Sequence, residues 1–218
     1  MIKIYFLRHG RQDSILCNVD VSLSKEGRMQ ADLVGKRLKN FGIQALYTSD
    51  MLRAIETGEE INKYLKVPAK VYRNLREIEF GDLEGLTDEE LHSKYADFYK
   101  ERDKFEEDIP FPGGENGAEC FERMMSSIMD IIGECKENNY DTIAIVSHGG
   151  ALRCFMAGIL GMDMAKRLQF VKTMENCSIT EIDYDEKRNR FYIERVNDYN
   201  HLEENEDLLR KNFKKTFL

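Results

Sequence analysis

The stretch IKIYFLRHG at residues 2–10 decides the fold of this chain. A short apolar run that ends in polar residues and a glycine is typical of a buried strand, and this run leads directly into His9. The stretch TIAIVSHGG at residues 142–150 repeats the pattern, with His148 just after the apolar run. The two stretches therefore predict strands of one sheet, each followed at its carboxyl end by a histidine.

Strand-like and helix-like segments alternate along the rest of the chain. Predicted strands cover residues 2–7, 44–47, 69–72, 142–146, 178–184 and 191–196, and predicted helices cover 24–40, 50–65, 116–136 and 150–160, with a further helix start at 87–90. This alternation predicts a three-layer α/β/α fold with a mostly parallel central sheet. The hairpin at 178–196 adds an antiparallel edge strand. We expect one domain over residues 1–218, with a tail at about 197–218 that is helical or partly mobile.

The composition narrows the class of protein. The chain has 218 residues, 42% of them apolar, a net charge of -8, and five cysteines without a CxxC pair. Scattered cysteines argue against a zinc ribbon or a secreted disulfide framework, and the acidic balance disfavours nucleic-acid and membrane partners. The apolar runs are too short to span a membrane, and the N-terminus resembles a strand more than a signal peptide. We therefore expect a cytoplasmic protein with a small-molecule partner.

The two strand-end histidines have cationic neighbours. Arg8 precedes His9, and Arg53 lies in the first turn of the helix that follows another strand. Because ligands in parallel sheets bind beyond the carboxyl ends of the strands, these groups should meet at one edge. Gly149 and Gly150 lead into the helix predicted after His148, and free N–H groups at a helix start favour an anion. Two arginines and two histidines at one edge predict a pocket for a phosphoryl group.

Other chemistries fit the sequence less well. Paired histidines could hold a metal, but Arg8 and Arg53 would repel a divalent cation, and no HExxH spacing is present. The sequence also lacks a Walker loop, a GxSxG elbow and a Cys-x5-Arg motif. We expect neither a metal nor another cofactor.

Several motifs in order resemble those of the histidine phosphatase superfamily, which has the phosphoglycerate-mutase-like fold. The resemblance covers about residues 2–196. It rests on RHG at 8–10, DVSLSKEGRMQA at 20–31, TSDMLRAIET at 48–57, LREIEFGDLEG at 75–85, PGGE at 112–115, SHGG at 147–150 and NCSIT at 176–180.

The resemblance implies a role for each site residue. His9 would be the nucleophile that forms a phosphohistidine, and Arg8, Arg53, His148 and Gly149 would bind the phosphoryl group. Glu77, four residues before Gly81, would be the proton donor. Glu79 and Asp82 are alternatives for that last role.

One loop departs from the family pattern. The family commonly has Glu-Thr after the RHG motif and an asparagine soon after, whereas this chain has Arg11, Gln12 and Ile15 at those places. Asn18 could take over one of these contacts. Arg11 could meet a second acidic group on the substrate or lie in solvent.

The acid loop at 75–85 resembles the phosphatase branch of the family more than the mutase branch. The expected function is therefore a phosphomonoesterase acting on a small phosphorylated metabolite without a metal. The alternative is a 2,3-bisphosphoglycerate-dependent phosphoglycerate mutase, and a catalytically silent phospholigand-binding module is the third hypothesis. The sequence does not name the phosphate ester, and a homo-oligomer stays open.

Overall fold

The fold is taken from a computed structural model that describes residues 1–169 and 171–212. Its strands are β1 (Ile2–Arg8), β2 (Ala45–Thr48), β3 (Ala69–Val71), β4 (Thr142–Ser147), β5 (Ile179–Asp185) and β6 (Arg190–Asp198). They form one six-stranded sheet in the order β3-β2-β4-β1-β5-β6. The pairs β3-β2, β2-β4 and β4-β1 are parallel, while β1-β5 and β5-β6 are antiparallel. The predicted mostly parallel sheet with an antiparallel edge is confirmed.

Helices cover both faces of the sheet. The α-helices of the described residues are α1 (Lys25–Leu38), α2 (Leu52–Leu65), α3 (Asp88–Lys94), α4 (Ala96–Arg102), α5 (Gly117–Asn138) and α6 (Gly149–Ile159). Successive side chains of a strand point to opposite faces. Tyr5 and Leu7 accordingly share a core with α1 and α2, whereas Ile4 and Phe6 share one with α5 and α6. Two apolar cores on either side of one sheet make the three layers that the sequence predicts.

Side chains in the sequence fix where helices start. The Ser24 hydroxyl accepts a hydrogen bond from Gly27 N and begins α1. Asn116 and Glu119 form a reciprocal capping box that begins α5. Each cap satisfies backbone N–H groups that have no partner inside the helix.

The tail differs from the helical expectation for residues 197–218. In its described part the chain stays in β6 as far as Asp198 and then forms single 3-10 turns at Asn200–Leu202, Glu206–Leu208 and Arg210–Asn212. The buried side chains Leu202, Leu208 and Leu209 anchor these short turns to the domain. Residues 213–218 of the predicted tail lie outside the described residues.

No helix of the described residues is both long enough and apolar enough to cross a bilayer.

Candidate active site

His9 and His148 lie side by side at the carboxyl edge of the sheet. Parallel pairing of β1 and β4 sets Arg8 opposite Ser147, so the residue that follows the end of each strand is a histidine. The two ring centroids are 4.9 Å apart. His9 is 4% exposed and His148 is fully buried. The structure thus brings together the two histidines that the sequence singles out.

Hydrogen bonds fix the orientation and tautomer of His9. Its Nδ1 lies 2.6 Å from the Gly10 carbonyl oxygen, which can only accept, so Nδ1 carries the proton. Arg53 Nε donates to His9 Nε2 at 3.2 Å, so Nε2 holds a lone pair. Asn176 Nδ2 also donates to the backbone carbonyl of His9, at 2.9 Å. Nε2 is therefore the nitrogen that can act as a nucleophile.

Both imidazoles are held in the neutral form. Burial lowers the pKa of His9 well below its ordinary value of 6.5, and the charges of Arg53 and Arg8 lower it further. Burial and Arg53 likewise lower the pKa of His148. A cation next to an imidazole disfavours a second positive charge. At neutral pH the His9 lone pair is thus available.

Arg53 links the edge of the sheet to the loop at 11–20. It lies in the first turn of α2 and is 2% exposed. Its Nη1 donates to the Val19 carbonyl oxygen at 2.9 Å, and its Nη2 donates to Asn18 Oδ1 at 2.7 Å. Asn18 adopts a left-handed backbone with φ of 46°, which asparagine tolerates better than most residues. Asn18 therefore supports Arg53, a contact that the sequence raises without deciding.

Ser49 is a site residue to which the sequence analysis assigns no role. It follows the end of β2 in the way that the histidines follow β1 and β4, and its N–H donates to Val146 O at 2.9 Å. Its hydroxyl lies 2.8 Å from His148 Nε2, while His148 Nδ1 has no partner among the described residues. The strand-end position was the signal that could have found it.

Arg8 supplies a second guanidinium at this edge. Its Nη1 donates to the Met174 carbonyl oxygen, and its buried Nε has no acceptor among the described residues. Burial lowers the pKa of Arg8 to about 9, so the group remains cationic at neutral pH. A Cβ on Gly149 would lie 3.3 Å from Arg8 Nε, so the glycine lets the guanidinium rest against the start of α6.

The N-terminus of α6 binds Glu77. The carboxyl oxygens of Glu77 accept from Gly150 N at 3.1 Å, Ala151 N at 2.7 Å and Ile78 N at 3.0 Å. The free N–H groups expected to attract the substrate anion are therefore used by a protein carboxyl group.

Glu77 also differs in position from Glu79 and Asp82, the two alternatives for the proton donor. It lines a cavity together with Arg8 and Gly149, whereas Glu79 and Asp82 are exposed and are not among the lining residues.

Hydrogen bonds from Arg123 hold the acid loop in place. Arg123 of α5 donates to the carbonyl oxygens of Glu77 at 2.8 Å and Arg76 at 2.9 Å. Its Nε also pairs with Glu115 at 2.6 Å, and Glu115 accepts from Glu79 N at 3.0 Å. The PGGE motif at 112–115 thus positions the acid loop through its glutamate.

The cavity above this edge has a volume of about 290 Å³ and is strongly cationic. Its charged lining residues are Arg8, Arg102, Arg153, Arg167, Lys172 and Arg210, with Glu77 as the carboxyl group. His9, Arg53 and His148 do not line it, because they are almost fully buried. The cations beyond Arg8 share no signal in the sequence, because they come from separate helices and turns.

Arg11 and Gln12 take no place in the cavity lining. The Gln12 amide donates to the carbonyl oxygens of Ser14 and Leu16, both at 3.2 Å, and so stabilises its own loop. The N–H of Arg11 donates to Gln30 Oε1 at 2.9 Å.

The groups at this edge match the requirements of phosphoryl transfer: a neutral nucleophilic nitrogen, fixed cations for the oxygens, and a carboxyl group that can exchange a proton. Within residues 1–169 and 171–212, no cluster of three or more His, Cys, Asp or Glu side chains is arranged to hold a metal. The fold and the geometry of this edge thus fit the class of phosphoryl-transfer enzymes.

The comparison with known families agrees with this class. The sequence profile of the histidine phosphatase superfamily (branch 1) matches residues 4–199. The chain belongs to this superfamily, and the resemblance drawn from its motifs is confirmed.

Individual relatives include both mutases and phosphatases. A probable phosphoglycerate mutase, GpmB, of Salmonella paratyphi B is 29% identical over 93% of this chain and 96% of its own. The Entamoeba histolytica phosphoserine phosphatase, solved with 3-phosphoglyceric acid, is 26% identical, with a TM-score of 0.77 over 93% of this chain and 100% of its own. A mycobacterial glucosyl-3-phosphoglycerate phosphatase shares the fold, with 22% identity and a TM-score of 0.80 over 91% of this chain and 100% of its own. These relatives support a phosphatase or mutase enzyme.

Proposed function

We propose that this chain is a phosphomonoesterase that passes the phosphoryl group of a small phosphorylated metabolite through a phosphohistidine on His9. The observation that carries the proposal is the state of His9: its Nε2 is unprotonated, and burial and two arginines hold its pKa well below 6.5. A histidine that stays neutral at physiological pH is a ready nucleophile toward phosphorus.

In the first step, His9 Nε2 attacks phosphorus and the bond to the ester oxygen breaks. Glu77 gives its proton to the departing alkoxide, which leaves as an alcohol. A phosphoryl oxygen would take the place of His9 Nε2 as the acceptor of the Arg53 Nε–H. Arg53, Arg8 and His148 would hold the equatorial oxygens, on which charge is spread in the transition state.

In the second step, water attacks the phosphohistidine. Glu77, now ionised, accepts a proton from the water, the phosphorus–nitrogen bond breaks, and inorganic phosphate leaves. His9 regains its neutral form, and the Nδ1–H bond to the Gly10 carbonyl keeps the ring in place throughout. Neither step requires a metal or another cofactor.

The alternative is a phosphoglycerate mutase, which the similarity to GpmB favours. The phosphohistidine would be the same, but a substrate hydroxyl instead of water would accept the phosphoryl group. The two structures of the Entamoeba histolytica phosphoserine phosphatase, at 26% and 27% identity, favour hydrolysis.

The same reasoning extends to the cellular setting. We place the protein in the cytoplasm, because its five cysteines are unpaired and free thiols are typical of a reducing compartment. Its partner would be a small phosphate ester, since a net charge of -8 does not favour nucleic acid or membrane.

The test measures phosphate release from a panel of phosphate esters with EDTA present, alongside a 2,3-bisphosphoglycerate-dependent mutase assay. We expect hydrolysis that the chelator leaves intact, little mutase turnover, and no hydrolysis by His9→Ala. His92→Ala is the matched control, because His92 is exposed on α3. Loss of activity with EDTA, or turnover retained in His9→Ala, would count against the proposed mechanism.

A further inference from the structure

Two guanidinium groups in the cavity have an unsatisfied nitrogen. Arg8 and Arg102 both line the cavity, and the Nε of each is buried with no hydrogen-bond partner among the described residues. A buried donor without an acceptor is costly, and it is satisfied when a ligand supplies one. Arg8 adjoins His9 and serves the phosphoryl group in the proposed reaction. Arg102 belongs to α4, a separate element of the fold. Its buried Nε indicates that the ligand carries a second acceptor group.

Aromatic rings hold the Arg102 guanidinium in place. Its central carbon lies 4.8 Å from the ring centroid of Tyr99, 5.3 Å from that of Phe111 and 5.6 Å from that of Phe98. Ring faces attract a cation without neutralising its charge. The charge of Arg102 is thus oriented and partly desolvated, but no carboxylate among the described residues pairs with it.

Three other arginines that line the cavity already donate to protein acceptors. Arg167 pairs with Asp108 at 2.6 Å. Arg153 donates to the carbonyl oxygens of Val171 at 2.9 Å and Gly149 at 3.0 Å, so it holds the backbone around the cavity. Arg210 donates to Asn176 Oδ1 at 3.4 Å. Within the described ranges, no hydrogen-bond acceptor or carboxylate is paired with Arg102.

We infer that Arg102 binds a carboxylate carried by the substrate, so that the preferred substrates are small phosphorylated carboxylic acids. The inference rests on the proposed function and names the substrate class of the same site. A carboxylate accepts two parallel hydrogen bonds from a guanidinium, and it is small enough to share a cavity of about 290 Å³ with a phosphoryl group. The role of meeting a second acidic group thus passes from Arg11, which does not line the cavity, to Arg102.

A matched pair of substrates tests the inference. 3-Phosphoglycerate and glycerol 3-phosphate have similar size and differ in a carboxylate that replaces a hydroxymethyl group. We expect the wild type to prefer the acid. In Arg102→Gln, kcat/KM for the acid should fall about 10- to 100-fold, mainly through KM, because a hydrogen bond to a charged group is lost. The value for glycerol 3-phosphate should change by less than about threefold, a difference of about 0.65 kcal/mol.

The control is Lys100→Gln, which removes the same charge from an exposed position of the same helix. Its preference for the acid should equal that of the wild type. Equal losses for both substrates in Arg102→Gln would make Arg102 a structural residue and overturn the inference, as would a wild type that does not prefer the acid. If Arg102→Gln does not fold, Arg102→Lys keeps the charge without the forked donors, and an unchanged preference in that variant is the overturning result.

A binding experiment distinguishes failure of this inference from failure of the proposed function. Dissociation constants of the two esters are measured by calorimetry in the His9→Ala background, where turnover is blocked. Absence of hydrolysis in the wild type would refute the proposed function, whereas the preference in binding would still test Arg102. Equal affinity for the two esters in that background overturns the inference on Arg102 alone.

Discussion

Acidification should destabilise this protein in a range where carboxyl groups are still ionised. His9, His148 and His201 all have a pKa below the ordinary 6.5 of histidine, with burial as the main cause for each. For His201 burial and the nearby Arg37 lower the pKa to about 4. As pH falls below about 6.5, the unfolded chain takes up protons on these imidazoles and the folded chain does not. Proton uptake by the unfolded state alone lowers the free energy of unfolding.

The size of the effect follows from this difference in proton binding. With an unfolded pKa of about 6.5, a histidine that stays neutral in the folded chain lowers the free energy of unfolding by about 1.3 kcal/mol between pH 7 and pH 5.5. Three such histidines give a total of about 4 kcal/mol. Carboxyl groups contribute little in this window, because their ordinary pKa values lie near 4.

The assay is urea unfolding at pH 7 and at pH 5.5, in phosphate-free buffers of equal ionic strength. The measured quantity is the difference in free energy of unfolding between the two pH values. His9→Gln and His148→Gln should each reduce this difference by about 1.3 kcal/mol, whatever their effect on stability at pH 7. His92→Gln, at an exposed position, should leave it unchanged. A wild type whose stability is the same at both pH values would refute the reasoning.

Two further changes probe the site. Gly150→Ala places a Cβ 2.6 Å from Glu77 Oε1, so the rate of hydrolysis should fall at least about 10-fold. The control is Gly133→Ala in α5, whose Cβ meets no atom within 4 Å. This control should keep full activity, and its free energy of unfolding, measured by thermal unfolding, should rise by about 1 kcal/mol. Equal activity of the two variants would contradict the predicted clash. Ser49→Ala removes the hydroxyl that contacts His148 Nε2 and should lower the free energy of unfolding by about 1 to 3 kcal/mol, measured in urea; no loss would mean that this hydrogen bond does not stabilise the fold.

The predicted parts of the sheet share one physical cause. Apolar runs in β1 and β4 have to be buried, and burial in a parallel sheet sets the residues after both runs at one edge. The position of His9 and His148 at one edge of the sheet is therefore predictable from the sequence alone. The helix starts at Ser24 and Asn116 are a separate case, because the hydrogen bonds of their own capping side chains set them.

The remaining parts depend on packing between elements that are distant in the chain. Nothing in the pattern around Arg102 distinguishes it from a solvated helix residue, and only the arrangement of α4 against Phe111 brings it to the cavity. The use of the α6 N-terminus by Glu77 likewise required the position of the acid loop, which Arg123 fixes from another helix. The division of the tail into short 3-10 turns also depends on tertiary packing, since the i, i+7 spacing of the buried Leu202 and Leu209 is compatible with an α-helix too.

The strand order has a consequence for biosynthesis. Both neighbours of β1 in the sheet, β4 and β5, come more than 130 residues later in the sequence. Until residue 185 has left the ribosome, the first strand to emerge has an unpaired backbone edge on at least one side, and apolar strands with open edges tend to associate with other chains. The segment that carries His9 therefore keeps an open strand edge until β5 has been synthesised, and a chaperone that covers this edge would protect it from association.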